Sequence, residues 1–211
     1  MTRIVLIRHG ETAWNAERRL QGHLDIPLNA EGQRQAQAMA AALAREDFDL
    51  VISSDLARAS ATAAALASRR GLQCELDAGL RERAYGAFEG LLYADIERRY
   101  PEEFAAWQRR EVNSVMPHGE RFAESFQQFY ERCVGAILRI AGRGTHIAIV
   151  AHGGVLECAY RAALGIALET PRTFAVKNAS INRFNAENGK LVLTSWGDVA
   201  HLEQDVLDEL T

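Results

Sequence analysis

The chain has 211 residues, 48% of them hydrophobic and 25% charged, with a formal net charge of -4. That length and balance suit one domain with one core and exclude disordered, collagen-like and coiled-coil chains. The acidic surplus argues against nucleic acid as a partner, because such binding rests on many cationic contacts to phosphates. Cys74, Cys133 and Cys158 are odd in number and form no C-x-x-C pair, which suits reduced thiols packed in a core. No apolar run approaches the roughly 20 residues of a membrane span, and none at the start resembles a secretory signal, so a cytoplasmic location is expected.

In chain order, a first strand is expected over 3–8, where Ile4-Val5-Leu6-Ile7 runs into Arg8-His9-Gly10-Glu11-Thr12. Asn29 should cap a helix that carries Glu31 in its first turn and continues to about Ala44. A strand over 49–53 ends in Ser53-Ser54-Asp55 before a helix over 55–69, with another strand expected over 72–76. Residues 84–118 are irregular, rich in Tyr, Trp and Arg, and broken by Pro101 and Pro117, as expected of an insertion overhanging the strand ends as a lid. From Glu120 to Ala141 the stripe Phe122, Phe126, Phe129, Cys133, Ile137, Ile140 predicts one long helix packed on the core. A strand over 145–151 then leads into His152-Gly153-Gly154. Strands over 178–185 and 190–196 should form a hairpin through Asn185-Ala186-Glu187-Asn188-Gly189, and the tail from Asp198 reads as a solvated acidic face. The alternation of strands and helices makes the fold class α/β.

Open α/β sheets bind ligands beyond the carboxyl ends of their parallel strands. Here two such ends finish in His-Gly, so His9 and His152 can share one site. Each could instead cap a backbone carbonyl. Arg58 falls in the first turn of its helix, where the macrodipole makes a cation locally unfavourable by about 0.3–1 kcal/mol. A phosphoryl group would offset that, with Arg8 as a second guanidinium fork; pairing of Arg58 with Asp55 is the alternative. Two fixed cations in one pocket would repel a divalent ion, so no metal is expected.

The segments Leu6–Asn15, Gln21-Gly22, Pro27-Leu28-Asn29, Ser53–Arg58, Leu80-Arg81-Glu82 with Gly86, and Val150–Gly154 together resemble the histidine phosphatase superfamily, also called phosphoglycerate mutase-like. The ending Trp196-Gly197-Asp198 with His201-Leu202 is similar to short bacterial members of phosphoglycerate mutase B type. The resemblance implies one domain over 1–211, a three-layer α/β/α sandwich with a mostly parallel central sheet, and a lid at 84–118 over the strand carboxyl ends. It implies His9 as nucleophile, with Arg8, Arg58 and His152 around the phosphoryl oxygens and Asn15 as a neutral donor. Glu82 would protonate the leaving alkoxide and later deprotonate water. Gln21, Gly22 and Gly153 would contact substrate, and Tyr85 would either do the same or pack as a buried lid tyrosine. Trp107-Gln108-Arg109-Arg110 resembles, with one residue intervening, a stretch that holds the substrate carboxylate in mutases, and Arg121 stands where some members have serine.

Cofactor-dependent mutases of the family are longer, so a metal-independent phosphomonoesterase acting on a small phosphorylated metabolite is expected, without cofactor. Phosphoglycerate mutase chemistry, which would require 2,3-bisphosphoglycerate, is the alternative, followed by a non-catalytic phosphate-ester sensor. The expected partner is a small-molecule phosphate ester, with neither nucleic acid nor membrane, and a homodimer is left open.

Overall fold

The computed structural model describes residues 1–202, 207 and 208. Six strands, β1 (Thr2–Arg8), β2 (Leu50–Ser53), β3 (Cys74–Leu76), β4 (His146–Ala151), β5 (Ile181–Glu187) and β6 (Lys190–Asp198), form one sheet in the order β3-β2-β4-β1-β5-β6. The pairs β3/β2, β2/β4 and β4/β1 are parallel, and β5 runs antiparallel to both of its neighbours. The central strands read as unbroken apolar runs because both faces are covered. Val5, Ile7, Val51, Ala148 and Val150 pack under helices α2 (Ala30–Ala42) and α3 (Ala57–Arg70). Ile4, Leu6, Ile52, Ile147 and Ile149 pack under α6 (Phe126–Ala141) and α7 (Gly153–Leu164). Helix, sheet and helix layers thus make the expected α/β/α sandwich. No helix among the described residues is long and apolar enough to cross a membrane.

Local chemistry explains where elements begin. Thr12 and Asn15 form a reciprocal capping box on the short α1 (Ala13–Ala16), and the Asn29 side chain accepts the Gly32 N–H at 2.8 Å to start α2. The last hairpin turns on Asn188-Gly189 alone, with φ of 50° and 72° and Glu187 paired with Lys190. That matches a two-residue turn with two left-handed centres. Asn185 to Glu187, expected in the turn, therefore belong to β5.

The long helix begins at Phe126 rather than at Glu120. Ser125 and Gln128 form its capping box, while the preceding residues run alongside 84–85 through a bridge between Tyr85 and Ala123. Phe122, expected on the buried stripe, is 55% exposed and meets the His23 ring edge to face. Strand β5 also starts three residues later than expected, because Asn178 and the left-handed Ala179 turn back toward His9. In the tail, Glu203, Asp205 and Glu209 lie outside the described residues. Asp208 does more than face solvent, since its Oδ1 accepts the Val176 N–H at 2.8 Å.

Residues 84–118 include α4 (Tyr93–Arg99) and α5 (Pro101–Gln108). They pack as a third apolar cluster around Phe88, Ile96 and Met116, joined by Leu20 and ringed by Tyr85, Tyr93, Tyr100, Phe104 and Trp107. Pro101 opens α5 rather than breaking a helix, as its missing N–H allows in a first turn.

Candidate active site

His9 leaves the carboxyl end of β1 with a buried ring, and His152 leaves the end of β4 as the N-cap of α7. Their ring centroids lie 5.1 Å apart. The His9 peptide is fixed from two sides: its carbonyl accepts from Asn178 Nδ2 at 3.0 Å and from the Ala179 N–H at 3.2 Å. Thr62 Oγ1 accepts the Gly10 N–H at 3.1 Å and donates to the Arg58 carbonyl at 2.8 Å, tying the β1 exit to α3. Gly10 is required here because a Cβ would stand 2.4 Å from the Gly32 carbonyl oxygen.

The His9 Nδ1 sits 2.7 Å from the Gly10 carbonyl oxygen. A carbonyl only accepts, so Nδ1 carries the hydrogen and Nε2 keeps its lone pair. Burial, then the charges of Arg58 and Arg8, hold the His9 imidazole well below its ordinary pKa, against the opposing pull of the Gly10 carbonyl. Burial, followed by Arg58, does the same to His152. Both rings are thus neutral at physiological pH.

Arg8 and Arg58 are both buried. Arg58 donates to the Gly22 carbonyl at 2.8 Å and the Leu24 carbonyl at 2.9 Å, so the 20–24 loop aims it. It is not the partner of Asp55, which is held by Arg81 at 2.6 and 2.7 Å. Arg8 spends Nη1 on the Val176 carbonyl at 2.5 Å, while its Nε and Nη2, like both ring nitrogens of His152, meet no hydrogen-bond partner among the described residues. Buried polar atoms without partners are uncommon and expensive. Two donors of the Arg8 guanidinium are thus left without a protein partner among the described residues.

Glu82 is buried, with Oε1 accepting the Arg83 N–H at 2.7 Å and Oε2 the Gly154 N–H at 3.0 Å. The second donor belongs to the first turn of α7, where the helix favours a carboxylate. A Cβ on Gly154 would fall 2.3 Å from Glu82 Oε1, so glycine there lets the carboxyl approach. The backbone of the 79–82 segment is gripped by Arg132, which donates to the carbonyls of Gly79, Arg81 and Glu82 at 3.0, 3.0 and 3.1 Å. Arg132 is itself held by two 2.7 Å bonds to Glu124, whose Oε2 also accepts the Ala84 N–H. Burial opposes the Arg132 charge, yet the Glu124 carboxylate outweighs it and raises the guanidinium above its usual value.

His9, Arg58, Glu82, Asn15, Gln21, Gly22, Tyr85 and Arg110 line one cavity of about 250 Å³. Asn15 Oδ1 is engaged by Thr12 and Gln21 Oε1 by the Thr12 hydroxyl, leaving their amide N–H groups as the donors for this space. Gly22 needs its left-handed φ of 52° and would strike Glu89 with any Cβ. Gly153 stands between His152 and the cavity-lining Gly154. Arg109 does not line the cavity and pairs instead with Glu111 at 2.7 Å, and half-exposed Arg121 lies 3.9 Å from Glu89. The α5 helix ends at Gln108, and Arg110 then takes a left-handed φ of 56°, which turns Arg110 inward and leaves Arg109 outside.

A family model for the histidine phosphatase superfamily, branch 1, matches residues 4–199. The chain belongs to the histidine phosphatase superfamily. It is 40% identical to phosphoglycerate mutase-like protein 4 of Arabidopsis thaliana, over 95% of this chain and 87% of that one. It is 34% identical to the probable phosphoglycerate mutase GpmB of Salmonella arizonae, over 100% and 99% of the two chains. Among solved structures it matches a mycobacterial glucosyl-3-phosphoglycerate phosphatase with a TM-score of 0.81 and 32% identity, covering 93% of this chain and 99% of that one. This histidine phosphatase superfamily member is accordingly an enzyme of the phosphatase and mutase type.

Several groups that build the site in this superfamily member escape sequence reading. Asn178, Thr62, Glu124 and Arg132 are ordinary polar residues far along the chain from what they hold. Only Ser125 carried a readable sign, the Ser-x-x-Gln spacing of a capping box.

Proposed function

We propose that the chain is a metal-independent phosphomonoesterase that works through a phosphohistidine at His9. The observation that carries this reading is the His9 tautomer: Nδ1 is spent on Gly10, leaving a neutral Nε2 on a ring that lines the cavity and feels the charges of the buried Arg58 and Arg8. In the first step Nε2 attacks phosphorus in line and the bond from phosphorus to the ester oxygen breaks. Arg8, Arg58, His152 and Asn15 stabilise the charge spread over the phosphoryl oxygens. Glu82 takes up a proton as the doubly charged phosphoryl group enters beside it, then passes that proton to the departing alkoxide. In the second step Glu82 removes a proton from water, whose oxygen displaces His9 and releases inorganic phosphate.

The segment 84–118 acts as a lid that screens this chemistry from bulk water, consistent with the place of Tyr85, Tyr93 and Trp107 on the cavity wall. Labelled phosphoryl transfer tests the route. Wild type should retain label from an ester after alkaline quenching, and His9→Ala should retain none. Undiminished turnover by His9→Ala would end the proposal.

The mutase reading is favoured by the names borne by the relatives. It shares the first step and differs in the acceptor. A panel including 3-phosphoglycerate, with and without 2,3-bisphosphoglycerate, separates the two. Hydrolysis gives free phosphate without isomer, whereas isomer formed only with the bisphosphate would establish the mutase.

A further inference from the structure

Above the phosphate-binding floor the cavity wall is aromatic. Trp14, Leu20, Tyr85, Tyr93, Trp107 and Phe126 line it. Tyr93 stacks on Trp107 at 5.7 Å with an interplanar angle of 19°, and Tyr85 lies 5.7 Å from the same indole. The result is a slot walled by packed rings.

Three of the four cations of this wall are already engaged. Arg110 donates to Glu157 at 2.5 Å and to the Leu168 carbonyl at 2.9 Å, with its guanidinium 4.9 Å from the Phe126 ring centre. Arg19 is held by Glu17 at 3.1 Å and by the Gly90 carbonyl at 2.7 Å. Arg83 donates to the carbonyls of Glu124 and Ser114 and lies over the rings of Tyr85 and Phe126. The fourth, Arg18, is exposed. Three carboxylates, Glu111, Glu157 and Asp208, line the same wall. Each is itself paired, Glu157 with Arg110 and Arg161, Glu111 with Arg109 and Asp208 with Arg172. A substrate carboxylate or second phosphate placed there would have to displace existing ion pairs, whereas an uncharged ring would fill a ready-made apolar slot.

Resting on the hydrolase reading above, we propose that the natural substrate class is the phosphate monoester of an uncharged, ring-bearing apolar alcohol, and that esters carrying a carboxylate are disfavoured. The reaction is ester plus water giving the free alcohol and inorganic phosphate, with no co-reactant. The aromatic wall selects the alcohol and the floor performs the transfer.

The test compares kcat/KM for 1-naphthyl phosphate, cyclohexyl phosphate, ethyl phosphate and 3-phosphoglycerate on the full chain. Naphthyl and cyclohexyl esters should exceed 3-phosphoglycerate by roughly tenfold or more, the scale on which an apolar pocket discriminates. Trp107→Ala should lower the ratio of naphthyl to ethyl ester turnover, with Trp107→Phe in between. If the alanine variant does not fold, the phenylalanine variant and the wild-type ratios still decide. Equal or better use of 3-phosphoglycerate, or a ratio insensitive to Trp107, overturns the substrate assignment while leaving hydrolysis intact. Conversely, a His9→Ala protein that stayed active with the same ring preference would overturn the phosphohistidine route and support the slot.

Discussion

The floor of the cavity stands on the ends of β1 and β4, two central strands, whereas its wall is carried mainly by residues 84–118, which pack around Phe88 outside the two sheet-facing cores. On the floor three groups are pinned by hydrogen bonds that involve backbone: His9 by Gly10, Asn178 and Ala179, Arg58 by Gly22 and Leu24, Glu82 by Arg83 and Gly154. The wall is held by ring packing, which tolerates substitution of similar shape. Floor and wall should therefore respond to mutation on different scales: floor changes should cost rate on every ester, and wall changes should redistribute preference among esters.

The largest effect expected is from His9→Ala, a loss of at least about 10⁴-fold in kcat on naphthyl and ethyl esters alike, as for removal of other covalent nucleophiles. Single-turnover assays check it, and a loss confined to one ester would break the division between floor and wall. Glu82→Gln follows, with about 10²- to 10⁴-fold lost on alkyl esters, the usual worth of a general acid. On 4-nitrophenyl phosphate, whose leaving group needs little protonation, the loss should shrink; an identical loss on both esters would remove Glu82 from the acid role.

Arg132 sharpens the same contrast from one layer back. It touches the carbonyls beneath Glu82 rather than the cavity, so it is a positioning residue. Arg132→Gln should lower kcat on alkyl esters by roughly 10- to 100-fold with little change in KM, the scale of a misplaced catalytic group. It should spare 4-nitrophenyl phosphate, as Glu82→Gln does. A general destabilisation would instead depress both esters equally, and circular dichroism together with phosphate binding would reveal it.

Legibility in sequence follows the same division. The floor could be read because its signals are local: an apolar strand that stops at His-Gly, an arginine in a first helical turn, Asn29 at a helix start. The Asn-Gly step of the hairpin is equally local, and the structure places it at the turn. What could not be read depends on distant pairing. Asn178 reaches the His9 carbonyl across 169 positions, and nothing near Asn178 in sequence announces that bond. The Phe122 error has a similar origin: a helical period continued past the true start, because the bridge from Tyr85 to Ala123 won the backbone of that segment for extended structure. Between Arg109 and Arg110 the choice turned on one left-handed residue, which spacing does not disclose.

The smallest effect concerns pH and stability, and it belongs to the floor alone. His9 and His152 are both held below the ordinary imidazole value, chiefly by burial. In the unfolded chain they bind protons as pH falls through about 6.5, while in the native state they remain neutral. The unfolded state therefore takes up more protons, and stability is present above pH 6.5 and lost as pH falls toward the lower native values. Each buried histidine contributes at most about 1.4 kcal/mol per pH unit in that window. Denaturant unfolding at pH 7.5 and 5.5 should show wild type losing about 1 kcal/mol more than His9→Gln, whose side chain does not titrate. Inorganic phosphate should oppose the loss, because an anion between Arg8 and Arg58 offsets the charges that help keep both rings neutral. A wild type no more sensitive to this pH step than His9→Gln would mean that His9 is not a neutral buried base, and the contrast between a charged, tightly pinned floor and an aromatic wall would lose its electrostatic half.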